Sequence, residues 1–131
     1  MVLDASAMAD LLLQQPLAER VRGLLACAAG DLHAPHLLDL EVLQVLRRNV
    51  LAGRLELERA EQARGSLSRF PLQRHAHHGL EARIWDLRHT MTAYDASYVA
   101  LAAELGCPLL TTDGRLARAA AGIVQLALPI R

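Results

Sequence analysis

The amino-acid sequence predicts an α/β fold, a three-layer α/β/α arrangement with a central, mainly parallel sheet of four to five short strands. Short apolar runs alternate along the chain with longer segments whose apolar residues keep helical spacing. The short runs are continuously apolar, which is typical of parallel strands buried on both faces. The length of 131 residues predicts one domain that covers residues 1–131.

The N-terminal half is predicted to contain two strands, Val2–Leu3 and Leu32–Ala34. After the first strand, Ser6 is placed to cap a short helix that ends before Pro16. The apolar positions then predict three longer helices, which run from Leu17 to a stop at Gly30, from Pro35 as far as Gly53, and from about Leu55 to Phe70.

The C-terminal half continues this alternation. A weak third strand at Leu72–Arg74 precedes a helix in which Trp85 lies on the apolar side, so Trp85 is predicted to belong to the core. The loop before that helix is predicted to be solvated and holds His75, His77 and His78. A helix at Asp95–Leu105 ends at Gly106. The remaining segments predict a strand, a helix and a strand, at Pro108–Thr111, Gly114–Ala121 and Val124–Leu126.

The composition narrows the class of protein. No apolar run approaches the roughly 18–20 residues that span a bilayer. The N-terminus lacks a signal-peptide pattern, so we expect a soluble cytoplasmic protein without membrane contact. Cys27 and Cys107 lie among apolar neighbours and are expected to be buried free thiols.

The charges have an unusual composition. The formal net charge is zero, so the overall charge does not indicate binding to nucleic acid. All 14 basic residues are arginine. The lack of lysine excludes enzymes that need a P-loop lysine or a lysine Schiff base. It leaves guanidinium groups, which suit phosphate, as the permanently charged cationic side chains.

Two aspartates directly follow predicted strands. Asp4 comes after Val2–Leu3, and Asp113 comes after the sequence PLLTT. In an open parallel sheet, ligands bind beyond the carboxyl ends of the strands, where both aspartates would lie. A purely structural alternative is that Asp4 or Ser6, and Thr112 or Asp113, only cap the helices that follow.

Two further carboxylates share helix faces with apolar residues. Glu41 has leucine and valine neighbours at helical spacing, and Asp95 shares its face with Tyr98. A buried charge without a partner is costly, so each of these residues needs one. The structural alternatives are a salt bridge between Glu41 and Arg48, and a capping box between Thr92 and Asp95.

Together, the four carboxylates predict a metal site. Carboxylates that meet at one sheet edge repel one another and need compensating charge. Mg²⁺, with Mn²⁺ as the alternative, prefers oxygen ligands and binds through one or two carboxylates, water and substrate phosphates. Such ions promote attack on phosphorus, so the pattern favours hydrolysis of a nucleic-acid backbone.

The chain closely resembles the PIN-domain family in three segments: MVLDAS at the N-terminus, HLLDLEVLQVLRR around Glu41, and TAYDASYVALAAELGCPLLTTDGRLA near the C-terminus. Within that family it resembles the VapC-type toxin ribonucleases of type II toxin–antitoxin systems. The resemblance implies an α/β/α fold and endoribonuclease activity that depends on Mg²⁺ or Mn²⁺.

The resemblance also implies roles for particular residues. The catalytic acids of the family match Asp4, Glu41, Asp95 and Asp113. Three of these are implied to be metal ligands, namely Asp4, Asp95 and Asp113. Ser6 and Thr111 match hydroxyl positions that support the site.

Arginines near the acids are candidates for holding RNA phosphates. Arg115 and Arg118 closely follow Asp113, and Arg47 and Arg48 are further candidates. The alternative is that these side chains form ion pairs in solvent.

The two helices predicted between Pro35 and Phe70 carry more leucine than one small core needs. A surplus apolar stripe favours a partner or dimer surface, and the alternative is an ordinary helix-rich core. The resemblance implies a VapB-type antitoxin as partner, a homodimer, and tRNA or rRNA as substrate.

Two other functions stay open from the sequence. The first is a non-catalytic PIN-like interaction module, which the loss of one acid would favour, and none is lost. The second is another metal-dependent phosphodiesterase or phosphatase. A phosphatase of the haloacid dehalogenase type needs a second acid two residues after the first, where this chain has Ser6.

Overall fold

A computed structural model describes residues 1–129 of the chain. Four short strands form one parallel sheet in the order β3–β2–β1–β4. They are β1 (Val2–Leu3), β2 (His33–Pro35), β3 (Gln73–His75) and β4 (Leu109–Leu110). The predicted α/β class and strand number are confirmed, although β2 and β3 each begin one residue later than predicted.

Helices flank this sheet and connect its strands. Within residues 1–129 they are α1 (Ala5–Leu12), α2 (Ala18–Cys27), α3 (Leu37–Leu51), α4 (Leu57–Arg69), α5 (Glu81–Asp86), α6 (Ala93–Leu105) and α7 (Gly114–Ala120). Helix α1 contacts α2, α3 and α4, whereas α6 contacts α5 and three of the strands. In the described part of the chain, each helix is too short or too polar to cross a membrane.

The order of the strands determines where a site can form. From β1 the chain moves outward to β2 and then to β3, and it returns to place β4 on the opposite side of β1. Val2 therefore pairs with His33 on one side and with Leu109 on the other. The connections diverge at β1, so a crevice opens beyond the carboxyl ends of β1 and β4. Asp4 and Asp113 follow those two ends.

Helix α6 lies at the centre of the packing. Its residues from Ala96 to Ala102 are all buried, so this helix has no solvent face along that length. The alanines let it approach β1, β2 and β4 closely. It ends at Gly106, whose φ of 61° is a left-handed conformation that glycine adopts without steric cost. The predicted stop at Gly106 is confirmed.

Two burial predictions are wrong. Trp85 is 67% exposed, with the guanidinium of Arg88 over its ring, whereas Ile84 and Leu87 pack against the core. Periodicity identifies residues that share a helix face, but it does not show how much of that face another element covers. Cys27 is exposed at the end of α2 and Cys107 is half-buried, and both are free thiols.

Three local predictions also need correction. Asp4 caps α1, and Ser6 lies inside the helix, because the Asp4 side chain accepts the Ala7 N–H. His75 belongs to β3 rather than to a solvated loop, and it contacts His33. The segment predicted as the strand Val124–Leu126 forms isolated bridges, one of them beside β4.

Candidate active site

Asp4 is the most constrained carboxylate of the site. It is 4% exposed, and both of its oxygens accept hydrogen bonds. Oδ1 accepts from the Ala7 N–H at 2.9 Å, and Oδ2 accepts from the Thr111 hydroxyl at 2.6 Å. The Ser6 hydroxyl lies 2.7 Å from Oδ1 and 2.8 Å from Oδ2. Asp4 thus caps α1, as the structural alternative held, and its carboxylate is also bound to the loop after β4.

The two hydroxyls tie the ends of β1 and β4 together. Each hydroxyl has one proton, and Asp4 receives both, so the 3.1 Å contact between Ser6 and Thr111 is not itself a hydrogen bond. The backbone N–H of Asp113 donates to both hydroxyl oxygens, with its nitrogen 3.1 Å from Ser6 Oγ and 3.0 Å from Thr111 Oγ1. Ser6 and Thr111 therefore orient Asp4 and the backbone of Asp113 at the same time.

Burial changes the acidity of Asp4. Desolvation raises the pKa of Asp4 from 3.8 to about 6, with a smaller contribution in the same direction from the charge of Asp113. The hydrogen bonds from Thr111, Ala7 and Ser6 lower the pKa but do not cancel the effect of burial. A carboxylate held in this way is stabilised by a nearby positive charge.

Glu41 is held by a partner that the sequence analysis did not identify. The hydroxyl of Tyr98 donates to Glu41 Oε1 at 2.6 Å, which replaces the salt bridge considered with Arg48. Tyr98 is 1% exposed, and its burial, followed by the hydrogen bond to Glu41, raises its pKa. Tyr98 therefore stays protonated and acts as a fixed donor that orients the carboxylate.

Asp95 and Asp113 share one guanidinium. Arg115 Nη2 lies 3.1 Å from Asp95 Oδ2 and 3.3 Å from Asp113 Oδ2. The charge of Asp95, and next that of Asp113, raises the pKa of Arg115. Asp113 also caps α7 through the N–H groups of Arg115 and Leu116, so its structural alternative is correct as well. The Thr92 hydroxyl accepts the Asp95 N–H, which is half of the capping box, while the Asp95 carboxylate faces Arg115.

One cavity of about 280 Å³ brings these groups together. Its lining includes the four predicted acids and Ser6, Gln44, Arg48, Tyr98 and Arg115. We call it the acidic cavity. Thr111 and Arg118 line a neighbouring cavity instead, and Thr111 reaches Asp4 through its hydrogen bond. The structure therefore places Asp4, Glu41, Asp95 and Asp113 around one space, at the crevice that the strand order predicts.

The donors in the acidic cavity suit a hard cation. Among the lining residues the groups able to bind a metal are carboxylate, amide and hydroxyl oxygens, without histidine or cysteine. Within residues 1–129, no group of three or more His, Cys, Asp or Glu side chains already stands in a metal-binding arrangement. The oxygen donors of the lining are themselves of the kind that Mg²⁺ binds, with water completing its coordination.

The comparison with known families identifies the family of this chain. A model of the PIN domain matches residues 1–122. This chain belongs to the PIN-domain family.

Curated relatives of this PIN domain align along most of the chain. It is 45% identical over 120 residues to the VapC1 ribonuclease of Mycobacterium tuberculosis, which covers 90% of this chain and 89% of the relative. It is 42% identical over 115 residues to the VapC9 ribonuclease of the same species, which covers 88% and 87%. The crystal structure of PAE2754 from Pyrobaculum aerophilum shares the fold of this PIN domain, with a TM-score of 0.72 and 22% identity over 95% of this chain and 82% of that one.

Sequence reasoning missed two features of the site. Tyr98 was considered only as an apolar neighbour of Asp95, yet its hydroxyl is 57 residues from Glu41 in sequence and bonded to it in space. Arg115 was considered as a ligand for phosphate, yet its nearest partners are two of the acids. A buried tyrosine on a helix next to an acidic site is the signal that the first omission overlooked, because its hydroxyl needs an acceptor.

Proposed function

We propose that this PIN domain is an endoribonuclease toxin that depends on Mg²⁺, with Mn²⁺ as the alternative, and that a cognate VapB-type antitoxin neutralises it. The carrying observation is the meeting of four carboxylates in one cavity at the crevice between β1 and β4. The names of the mycobacterial relatives, which are ribonucleases at 42% and 45% identity, support RNA as substrate.

Three of the carboxylates are assigned to the metal. Asp4, Asp95 and Asp113 would hold the ion, and Ser6 and Thr111 keep Asp4 in a fixed orientation. When bound, Mg²⁺ supplies positive charge for the phosphate and lowers the pKa of water. Asp4 is well suited to this role, because burial raises its pKa to about 6 and a nearby cation offsets the cost of its charge.

Glu41 is assigned to the water that attacks phosphorus. Tyr98 engages Oε1, and Oε2 has no hydrogen-bond partner among the side chains of residues 1–129. Glu41 Oε2 can therefore accept a proton or a hydrogen bond from water in the cavity. Tyr98 acts as a positioning residue, since its hydroxyl donates to Glu41 and thereby orients that carboxylate.

Two arginines in the cavity are assigned to the RNA backbone. Arg48 lines the acidic cavity beside Glu41, and Arg115 bridges Asp95 and Asp113. Guanidinium groups match phosphate oxygens in shape and charge. Once the charge of the acids is balanced by a cation, Arg115 becomes available to a substrate phosphate.

The antitoxin and a second copy of the chain are proposed for apolar surfaces. Leu43, Leu46 and Val50 of α3, with Leu57 and Ala60 of α4, line an apolar groove of about 190 Å³. Leu51 and Leu57 are 69% and 64% exposed. These exposed leucines support the prediction of a partner surface over an ordinary core.

The test is a cleavage assay with the purified chain on tRNA and on rRNA fragments. We expect cleavage with Mg²⁺ or Mn²⁺, none with EDTA, and a loss of at least about a hundredfold for Asp4→Asn and for Asp95→Asn. Addition of the protein encoded by the adjacent upstream reading frame should inhibit the reaction. Circular dichroism checks that the variants are folded.

Two outcomes would contradict the proposal. Equal cleavage by wild type and both variants would place the activity elsewhere. RNA binding without cleavage under any divalent ion would favour the non-catalytic interaction module.

A further inference from the structure

A second cavity lies directly beside the acidic cavity. It has a volume of about 140 Å³, which exceeds the share of about 30 Å³ that a single water occupies. Arg20 of α2 and Arg118 of α7 both line it. The rest of the lining is partly polar, with Thr112 and Asp113, and partly apolar, with Leu17, Leu128 and Pro129. Asp113 also lines the acidic cavity, so this one residue separates the two spaces.

The two arginines of the second cavity are not engaged by acids. Within residues 1–129, neither Arg20 nor Arg118 forms an ion pair, whereas Arg115 is paired with Asp95 and Asp113. Two guanidinium groups at one small cavity repel each other unless an anion lies between them. The arginines come from helices that are about 90 residues apart in sequence, so tertiary structure alone brings them together.

Arg118 is folded back toward the start of its helix. A Cβ placed on Gly114 would lie 3.2 Å from Arg118 Nη1, a distance that is closer than ordinary contact. The guanidinium thus lies over Gly114, immediately after Asp113, and the lack of a side chain at Gly114 leaves room for it. This directs the positive charge to the boundary between the two cavities.

We propose that Arg20 and Arg118 form a subsite for a backbone phosphate of the RNA strand, next to the phosphate that is cleaved. This proposal rests on the proposed ribonuclease function. The acids of the neighbouring cavity repel the RNA backbone, and a pair of guanidinium groups directly beside them offsets that repulsion and fixes the position of the strand.

The test measures the affinity of the full chain for a short fluorescein-labelled single-stranded RNA of random sequence, by fluorescence anisotropy in EDTA at several salt concentrations. Each lost phosphate contact makes the plot of log affinity against log salt shallower by about 0.7 for a single strand. We expect this change for Arg20→Gln and for Arg118→Gln, and about twice the change for the double variant. Gly114→Ala, which displaces the Arg118 guanidinium, should cause a smaller change in the same direction.

The matched control is Arg22→Gln. Arg22 lies on the same helix as Arg20, but it pairs with Glu19. Its removal changes the net charge equally and should leave the slope unchanged. Slopes for Arg20→Gln and Arg118→Gln equal to that of the control would overturn the subsite, as would wild-type protein that does not bind the RNA at low salt.

A parallel cleavage assay separates the two proposals. If wild type cleaves RNA but the salt slopes of the variants are unchanged, the subsite is wrong and the ribonuclease function stands. If the salt slopes of the variants change but wild type does not cleave RNA, the ribonuclease function is wrong and the two arginines form only a phosphate-binding site.

Discussion

The sheet carries a polar cluster on each side of β1, and the two clusters differ in how their charges are balanced. Between β1 and β4 lies the acidic cavity, in which four carboxylates face two arginines. Between β2 and β3 lies a second group, here called the histidine cluster, made of Asp31, His33 and His75. Both depend on the same parallel register, because strand pairing brings their members together.

The histidine cluster is satisfied by its own members. Asp31 only accepts, so His33 Nε2 donates to it at 2.7 Å. In neutral His33 the other nitrogen, Nδ1, then accepts from His75 Nε2 at 2.9 Å. The three side chains are thus joined by hydrogen bonds without any added ion. The acidic cavity lacks this balance, since Asp4 is buried and Asp113 adds to the negative charge around it. This difference favours a ligand at the acidic cavity and a structural role for the histidine cluster.

The largest effect that we expect from this contrast is in the pH dependence of stability without metal. Burial raises the pKa of Asp4 from 3.8 to about 6 in the folded state. The folded state therefore holds its proton to higher pH than the unfolded state, so stability falls as pH rises from about 4 to about 6. That difference in pKa corresponds to about 3 kcal/mol of unfolding free energy.

Asp4→Asn removes the ionisation at this position. It keeps only one of the two oxygen acceptors, so it also loses one of the hydrogen bonds from Ala7 and Thr111, and that loss is the same at every pH. Urea denaturation in EDTA measures the unfolding free energy of both proteins. The value for the variant minus the value for wild type should increase by about 3 kcal/mol as the pH rises from about 4 to about 7. A difference in unfolding free energy that stays constant with pH would contradict the account of Asp4 as a charge without a balancing cation.

A smaller effect is expected from Arg115, the positive charge already present in the acidic cavity. Its guanidinium lies between Asp95 and Asp113 and competes with a metal for both. Arg115→Gln should therefore tighten Mn²⁺ binding a few-fold in calorimetric titration without RNA. Because Arg115 is also assigned to phosphate, the same variant should lower cleavage.

The control for that experiment is Arg64→Gln, which removes an arginine paired with Glu61 on the surface of α4. It should change neither quantity. Weaker Mn²⁺ binding in Arg115→Gln would show that the guanidinium supports the metal site rather than competing with it.

The sequence was informative where chemistry is local and less so where it depends on distant contacts. Asp4 and Asp113 were predicted correctly to share a sheet edge, because strand ends and parallel pairing place them there. Glu41 was predicted to need a partner, but its identity depends on how α3 packs relative to α6. The helical spacing of apolar residues predicts Trp85 to lie in the core, but no other element that the structure describes covers the side of α5 that carries it.

The same limit explains why the second cavity was not predicted. Arg118 was a candidate from its position after Asp113, whereas Arg20 lies on α2 and has no local feature that sets it apart. The tertiary fold brings one residue of α2 and one residue of α7 to the same cavity. A sequence pattern ranks residues within one element, and it carries little information on which elements become neighbours.

The smallest effect concerns the histidine cluster, and its sign should be opposite to that of Asp4. Desolvation, followed by the charges of His33 and His36, lowers the pKa of His75 below 6.5. As the pH falls, the unfolded state takes up the proton first. This contribution to stability is therefore present above about pH 6.5 and is lost as pH falls toward the pKa of the folded state.

His75→Asn should abolish this loss of stability at low pH. At neutral pH the variant should be less stable than wild type by under about 1 kcal/mol, the net contribution of one hydrogen bond. Cleavage of RNA should be unchanged, because His75 ends β3, the strand that β2 separates from β1, and it does not line the acidic cavity. A large loss of cleavage in a folded His75→Asn protein would join the two clusters into one functional unit, which their separate balance of charge argues against.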